Sequence, residues 1–430
     1  MNNYDLIILG GGPGGYNAAF RAAELGKKVA IVDDNNLGGV CLNWGCIPTK
    51  SLLKNAEVID LINTSESYGI SVKDIAVDFE SIVSKSVQAR QRLSKGLHHQ
   101  VKKHNIDFHA GFGTFTDKNT IMVNDTTITA ETFIIATGSK PKTLPNLNAS
   151  EVVYAKDIFQ MKSIPKSMTI IGAGAIGVEF AYFFNSFGTN VTLIEAEDTI
   201  LPHEDKEVSQ WVEKVFKKKK INVLTGTLAD NIDDEKVLIS VGVKGNSTGM
   251  GLKGLGLEFS DNNHIAVNEH GKTNIDNIYA VGDVIGDPWL AHVSAAEGLY
   301  VAEHLCGLNP KQIDYNSIPA CTYSKPEVAS IGATEQTLVD SNIEFKVAKS
   351  FFISNGKAVA VGSTDGFIKI LVGTKGNILG AHIVGSNATE MISELSIIKT
   401  NNLTIKNIFN SIHPHPTFSE AIFETLLQLK

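Results

Sequence analysis

The sequence predicts an α/β protein containing two parallel-sheet units built to one plan. Two observations predict it. The first is an internal repeat: "YDLIILGGGPGGYNAAFRAAELGKKVAIVD" from Tyr4 and "SMTIIGAGAIGVEFAYFFNSFGTNVTLIE" from Ser167 each read strand, glycine turn, small-residue helix, glycine stop, strand, acid. The second is size and composition. A chain of 430 residues with 43% hydrophobic and 20% charged content is ordinary globular material, and it is too long for one core.

Each repeat carries a dinucleotide-binding pattern. Gly10, Gly12 and Gly15 are followed 18 residues later by Asp33; Gly172, Gly174 and Gly177 are followed 18 residues later by Glu195. The first glycine permits the tight turn, the second admits a pyrophosphate, and the third lets helix pack on strand. Phosphates then meet the free N–H groups and positive dipole end of the helix. Asp33 and Glu195 are placed to accept ribose hydroxyls, and Gly26 and Gly188 stop the helices. Two units imply two dinucleotides, one of them a flavin. Around Glu195 stand Glu197 and Asp198 with no Arg or Lys, so a 2′-phosphate is repelled and NAD(H) is preferred.

Between the repeats lies "GGVCLNWGCIPTKSLL" (Gly38–Leu53), with four residues between Cys41 and Cys46. A metal site would want further Cys or His ligands at tetrahedral spacings, and none is near. Packed core thiols and a redox pair both stay open. Five helical steps span about 7.5 Å, beyond disulfide reach, so bonding the two requires a distorted segment. Gly45 supplies the distortion, and Pro48 suits the first turn of the helix that follows. Further along, "TFIIATGSKPKTLP" reads as a buried strand leaving a domain, and "NIYAVGD" as a strand turning at Gly282-Asp283 into a helix around His292–Leu305. Asp283 on that turn suits a polyol hydroxyl, though turn aspartates also serve as caps.

A net charge of −8 argues against nucleic acid or anionic membrane as partner. The only basic block, Lys217–Lys220, closes a helical pattern where cations complement the dipole. No apolar run reaches the ~18 residues of a membrane span. The start "MNNYDLIILGGG" shows neither a secretory nor an Arg-rich transit pattern, and four cysteines are too few for a disulfide scaffold, so a cytoplasmic setting is expected.

Taken together, "GGVCLNWGCIPTK", the two fingerprints, "IYAVGD" and the C-terminal "HPHPTFSE" resemble the disulfide-reductase flavoproteins, the class I pyridine nucleotide-disulfide oxidoreductases, and "LNWGCIPTK" resembles their lipoamide branch. The resemblance spans nearly the whole chain. It implies a FAD-binding domain over 1–146, an NAD-binding domain over 147–268, a segment completing the FAD domain over 269–314, and an α+β dimerisation domain over 315–430. It implies FAD held by Gly10, Gly12, Gly15, Asp33, Gly39, Lys50, Thr137, Gly138, Asp283, Ala291 and His292, and NAD held by Gly172, Gly174, Gly177 and Glu195. Cys41 and Cys46 would form a redox disulfide, Cys46 facing flavin and Cys41 facing substrate. Lys50 and Glu179 would pair beside the flavin. His415 would be the base and Glu420 its orienting carboxylate, both serving the other subunit of a homodimer. His413 is the rival base; spacing to Thr417 and Glu420 favours His415. The implied activity is oxidation of protein-bound dihydrolipoamide to lipoamide with reduction of NAD⁺. The implied partner is the lipoyl domain of a 2-oxoacid dehydrogenase complex or of the glycine-cleavage system. Cys306 and Cys321 read as packed thiols.

The chain departs from the family pattern in one region. Only nine residues separate Thr227 from Val237, where the family carries an antiparallel meander over one face of the NAD domain. An exposed or differently covered face is expected there, with altered NADH affinity. Trp44 replaces a small apolar residue inside the cysteine motif. Two alternatives accompany this reading: another NADH-dependent disulfide or quinone reductase, and a non-catalytic flavoprotein subunit.

Overall fold

The computed structural model describes residues 2–34, 37–149 and 151–430. The chain forms two compact units: Met1–Ser51, Glu80–Thr143 and Gly242–Ile313 in one, Leu52–Phe79, Leu144–Val241 and Asp314–Lys430 in the other.

The first unit opens with β1 (Asn2–Leu9), α1 (Pro13–Glu24), β2 (Val29–Asp33), α2 (Gly39–Trp44), α3 (Cys46–Asn63, running on into the second unit) and α4 (Phe79–Lys103). Then come β3 (Asp107–Ala110), β4 (Gly113–Asp117), β5 (Thr120–Val123), β6 (Thr126–Ile135) and β7 (Ser139–Pro141). The strands β3, β2, β1 and β6 lie in that order and pair in parallel, with β4 and β5 forming an antiparallel extension on β6. Alternation along β1 sends Leu6 and Ile8 into one core and Ile7 and Leu9 into the other, as a sheet covered on both faces requires. The predicted small-residue helix explains the close packing above the sheet. Gly14, Gly15, Ala18, Ala19 and Ala22 of α1 are buried.

The second unit begins with β8 (Asn148–Ala149), β9 (Val152–Val153), α5 (Ala155–Ile158), β10 (Ser167–Ile171), α6 (Ala175–Ser186) and β11 (Asn190–Ile194). It continues through α7 (Lys206–Lys218), β12 (Asn222–Leu224), β13 (Asn231–Ile232) and β14 (Lys236–Ile239). Its parallel sheet has the order β12-β11-β10-β14-β9. Met168, Ile170, Val191 and Leu193 are buried on one face. The other face carries Thr169, Thr192, Ile194 and Leu224, which with the loop 228–234 line an open groove of about 430 Å³. This is where the sequence lacks a meander, and Leu228 in the shortened loop is 83% exposed. Thr169 and Ile194 are nonetheless buried, at 2% and 5% exposure, so the loop covers this face in part, while Leu224 stays 37% exposed.

The chain then returns to the first unit with β15 (Val243–Gly245), β16 (Ile278–Ala280) and α8 (Ala291–Leu305). β15 pairs antiparallel with β7, and β16 pairs with β6. Met250, Leu252, Leu257 and Ile265 join the core of Ile7 and Phe133. The segment that completes the first domain thus starts at Gly242, not at the expected 269, because these apolar residues find their partners there. α8 packs on α1 through glycines: a Cβ on Gly298 would lie 2.2 Å from the Gly14 carbonyl oxygen.

Back in the second unit are β17 (Pro319–Thr322), β18 (Val328–Gly332), α9 (Glu335–Asp340), β19 (Phe345–Phe351), α10 (Gly356–Ala360), β20 (Phe367–Gly373) and β21 (Ile378–Val384). The chain closes with α11 (Ala388–Thr400), α12 (Ile405–Phe409) and α13 (Glu420–Leu426). The five strands form an antiparallel sheet, β17-β18-β21-β20-β19, as expected for an α+β part. Its core joins Ile368, Ile370 and Ile383 to Met391 and Leu395 of α11 and Ile422 of α13.

Candidate active site

The two glycine turns match in detail. Gly10 and Gly172 have φ of +102° and +97°, where a side chain is strained. A Cβ on either would lie within 2.5 Å of a neighbouring carbonyl, Ala136 in one unit and Ser240 in the other. A Cβ on Gly15 or Gly177 would sit 1.9 Å from the carbonyl oxygen of Gly10 or Gly172. Gly12 and Gly174, which cap α1 and α6, face open space instead: the nearest atom to a Cβ on Gly12 is 3.8 Å away, and none lies within 4 Å on Gly174. That is the cradle a pyrophosphate needs beside a helix N-terminus. The acids are equivalent as well. Asp33 accepts the Gly11 N–H and Glu195 accepts the Ala173 N–H at 2.6 Å, so each strand-end carboxylate steadies the middle residue of its glycine turn. Glu195 also accepts the Glu197 N–H at 3.0 Å. Both turns fit a dinucleotide.

Around the first turn, Gly39 (φ +57°) comes so close that its Cβ would be 2.7 Å from Gly12 Cα. Thr137 Oγ1 donates to the Asn246 carbonyl at 2.7 Å, and Asn246 donates back to Thr137. Gly138 has φ +70°. The Asp283 carboxylate accepts from Ser139 Oγ at 2.8 Å, and burial pushes its pKa up against those hydroxyl bonds. Ala291 and His292 open α8.

The cysteine segment breaks where predicted. α2 ends at Trp44, Gly45 is non-helical (φ −122°, ψ −113°), and Cys46 begins α3. A Cβ at Gly45 would lie 2.9 Å from the Val40 carbonyl and 3.2 Å from Cys41 Cα, so only glycine lets the two cysteines approach. The expected disulfide is not formed here: all four cysteines are thiols, and Cys41 and Cys46 are joined by a hydrogen bond. Cys41 has its pKa raised, first by that bond and then by burial, while Lys50 opposes the rise.

Sequence reasoning missed Tyr16. It is largely buried, and burial followed by the charges of Cys41 and Cys46 raises its phenol pKa. Its signal was present, since it follows Gly15 directly on the first turn of α1. Asn43, between the cysteines, is also buried and donates to Gly39 O at 3.0 Å one turn earlier in α2. Nothing in the structure explains Trp44.

In the second unit, Glu179 lies on α6, buried, and accepts the Tyr323 N–H at 2.9 Å. His415 Nδ1 meets Glu420 Oε1 at 2.9 Å, while Glu420 Oε2 accepts the Thr417 N–H at 2.7 Å. The Thr417 N–H and then His415 lower the Glu420 pKa, so it stays ionised and fixes the imidazole with Nε2 outward. The His415 side chain is 77% exposed. His413 differs: its Nε2 is taken by Glu394 at 2.8 Å and its ring packs on Phe423. The geometry thus favours His415 over its rival as a base toward another molecule.

Family models for pyridine nucleotide-disulphide oxidoreductase match residues 4–298, and for the dimerisation domain of the same family residues 318–426. Dihydrolipoyl dehydrogenase of Zymomonas mobilis is 39% identical over 456 aligned positions, covering 99% of this chain and 98% of its own. Those of Bacillus subtilis and Corynebacterium glutamicum are likewise 39% identical, covering 99% and 98% of this chain and 97% of theirs. These alignments outrun the 430 residues present, in keeping with the shortened loop. In fold, the chain is similar to LpdA from Mycobacterium tuberculosis (TM-score 0.93, 22% identity, 100% of both chains). It is similar also to the flavoprotein disulfide reductase RclA from Escherichia coli (TM-score 0.90, 24% identity, 99% of this chain and 100% of that one). The two glycine cradles, the dithiol opening α3 and these matches agree: the chain is a FAD- and NAD(H)-dependent member of the pyridine nucleotide-disulphide oxidoreductase family.

Proposed function

We propose that the chain is a dihydrolipoyl dehydrogenase, oxidising protein-bound dihydrolipoamide at the Cys41–Cys46 pair and delivering the electrons to NAD⁺. The observation that carries it is the helix break at Gly45, which brings Cys41 against Cys46 at the head of α3. Dihydrolipoamide meets the pair in its disulfide form. His415 Nε2, from the second copy of a homodimer, takes the proton of the attacking sulfur, and Glu420 stabilises the imidazolium. The thiolate breaks the bond at Cys41; closure of the lipoyl ring through the second sulfur then frees Cys41 as a thiol. Cys46 is left as the thiolate carrying the electron pair. Asp33, Asp283, Thr137 and the glycine turn would hold FAD, and Lys50 and Glu179 would flank its reactive ring; when bound it would supply the two-electron chemistry that links re-formation of the Cys41–Cys46 disulfide to reduction of NAD⁺. Glu195 selects NAD⁺ by its carboxylate. The partner is the lipoyl domain of a 2-oxoacid dehydrogenase complex or of the glycine-cleavage system.

Anaerobic titration of the flavin-loaded protein with dihydrolipoamide tests this. A long-wavelength thiolate–flavin absorption band should appear in the native protein and vanish in C46S. No band, or a band that survives in C46S, would overturn the assignment.

A further inference from the structure

A buried polar row crosses the antiparallel sheet of the second unit. Register places Ser330 beside His382, His382 beside Lys369, and Lys369 beside Lys349, so four adjacent strands present these residues in one line. The acidic start of α7 is seated along it. Ser330 Oγ donates to Glu204 at 3.0 Å. Lys369, only 1% exposed, reaches both Asp205 oxygens at 2.9 and 3.0 Å, Glu207 at 2.8 Å and Glu335 of α9 at 2.5 Å. Lys349 closes the line on Glu207 at 2.5 Å. Asp205 does double duty, since it also caps α7 through the Glu207 N–H at 3.1 Å.

The seat continues into the nucleotide turn. The Glu204 N–H donates to Leu201 O at 2.9 Å, and the Leu201 N–H donates to Ala173 O at 2.8 Å. Ala173 is the middle residue of the turn whose N–H is held by Glu195. Leu201 is buried with φ +48°, a conformation that a leucine keeps only when its surroundings impose it. Ser209 Oγ of α7 adds a second bond to the Leu201 carbonyl at 3.1 Å. One line, made of hydrogen bonds and the Glu204–Asp205 peptide link, therefore runs from Lys369 through Asp205, Glu204 and Leu201 to the backbone of Gly172-Ala173-Gly174.

We propose that Lys369 and Asp205 are positioning residues for NAD(H): by anchoring α7 on the sheet they hold Leu201 strained and the phosphate-binding turn in its binding-ready form. This rests on the assignment of that turn to NAD(H). It predicts a one-sided defect, because the flavin turn and the cysteines do not depend on this line. In K369M, Asp205 loses its cation, so the KM for NAD⁺ should rise about tenfold. Anaerobic reduction of the flavin by dihydrolipoamide, followed without NAD⁺, should stay within about twofold of the native rate. D205N keeps the helix cap and one acceptor for Lys369, and should raise the KM for NAD⁺ by about threefold with the protein folded. If K369M does not fold, D205N decides. An unchanged KM for NAD⁺ in D205N, or equal losses in both half-reactions, would overturn the proposal. Stopped-flow reduction of native protein by NADH separates the two levels: no reduction there would refute the NAD(H) site itself, not this line.

Discussion

Glu204 stands next to Asp205 with one carboxylate oxygen bonded to Ser330 and the other, Oε2, buried without a partner. Burial pushes its pKa up to about 7, with the Asp205 charge adding to the rise and the Ser330 hydroxyl opposing it. A carboxyl with a raised folded-state pKa favours the folded state fully below its ordinary value. That contribution is lost as pH climbs toward 7. E204Q keeps the hydrogen bond and removes the titration. It should therefore be more stable than native protein at pH 8, by up to about 3 kcal/mol, with the gap closing near pH 4.5. Thermal melts across that range check it; a gap of equal size at both ends would refute it. His382, wholly buried in the same row, has its pKa lowered by burial, with the Asp205 charge opposing.

At the scale of elements, the short interruption between α2 and α3 decides the redox chemistry. G45A places a methyl 2.9 Å from Val40 O and 3.2 Å from Cys41 Cα, so the two helix ends must move apart. The protein should fold and load flavin, but the pair moves out of line and reduction by dihydrolipoamide should slow by about 10²-fold. A native rate in single-turnover measurements would show that the close approach is dispensable. This break was legible in the sequence, as were both glycine turns, the strand-end acids and the His415–Glu420 couple, because each is a local spacing of chemically distinctive residues. The start of the returning segment was not. Val243–Gly245 pairs with Ser139–Pro141 a hundred residues earlier, and no local pattern announces that. The Lys369 row was hidden for the same reason: "FIKILVG" shows a lysine in an apolar run, but its acids come from α7 and α9, which register alone brings near.

At the scale of the molecule, the sheet of β10, β11 and β12 has one face covered only in part, by the short loop 228–234. The groove along Thr169, Thr192, Ile194 and Leu224 is bordered by Asp230, Asp233 and Asp234, and Asp234 accepts from Thr169 Oγ1 at its floor. An open sheet surface invites another sheet, which folded proteins deter with charge. With a net charge of −8 on the chain and three carboxylates beside the groove, two copies approaching through this face would meet like charge. The triple variant D230N/D233N/D234N should form reversible assemblies larger than a dimer as protein concentration rises, seen by light scattering, while its flavin stays reducible by dihydrolipoamide. Identical scattering for variant and native protein would show that the face is harmless by itself. In such a chain, brevity and solubility are one problem: what the loop lost in covering residues it answers with repulsion between copies.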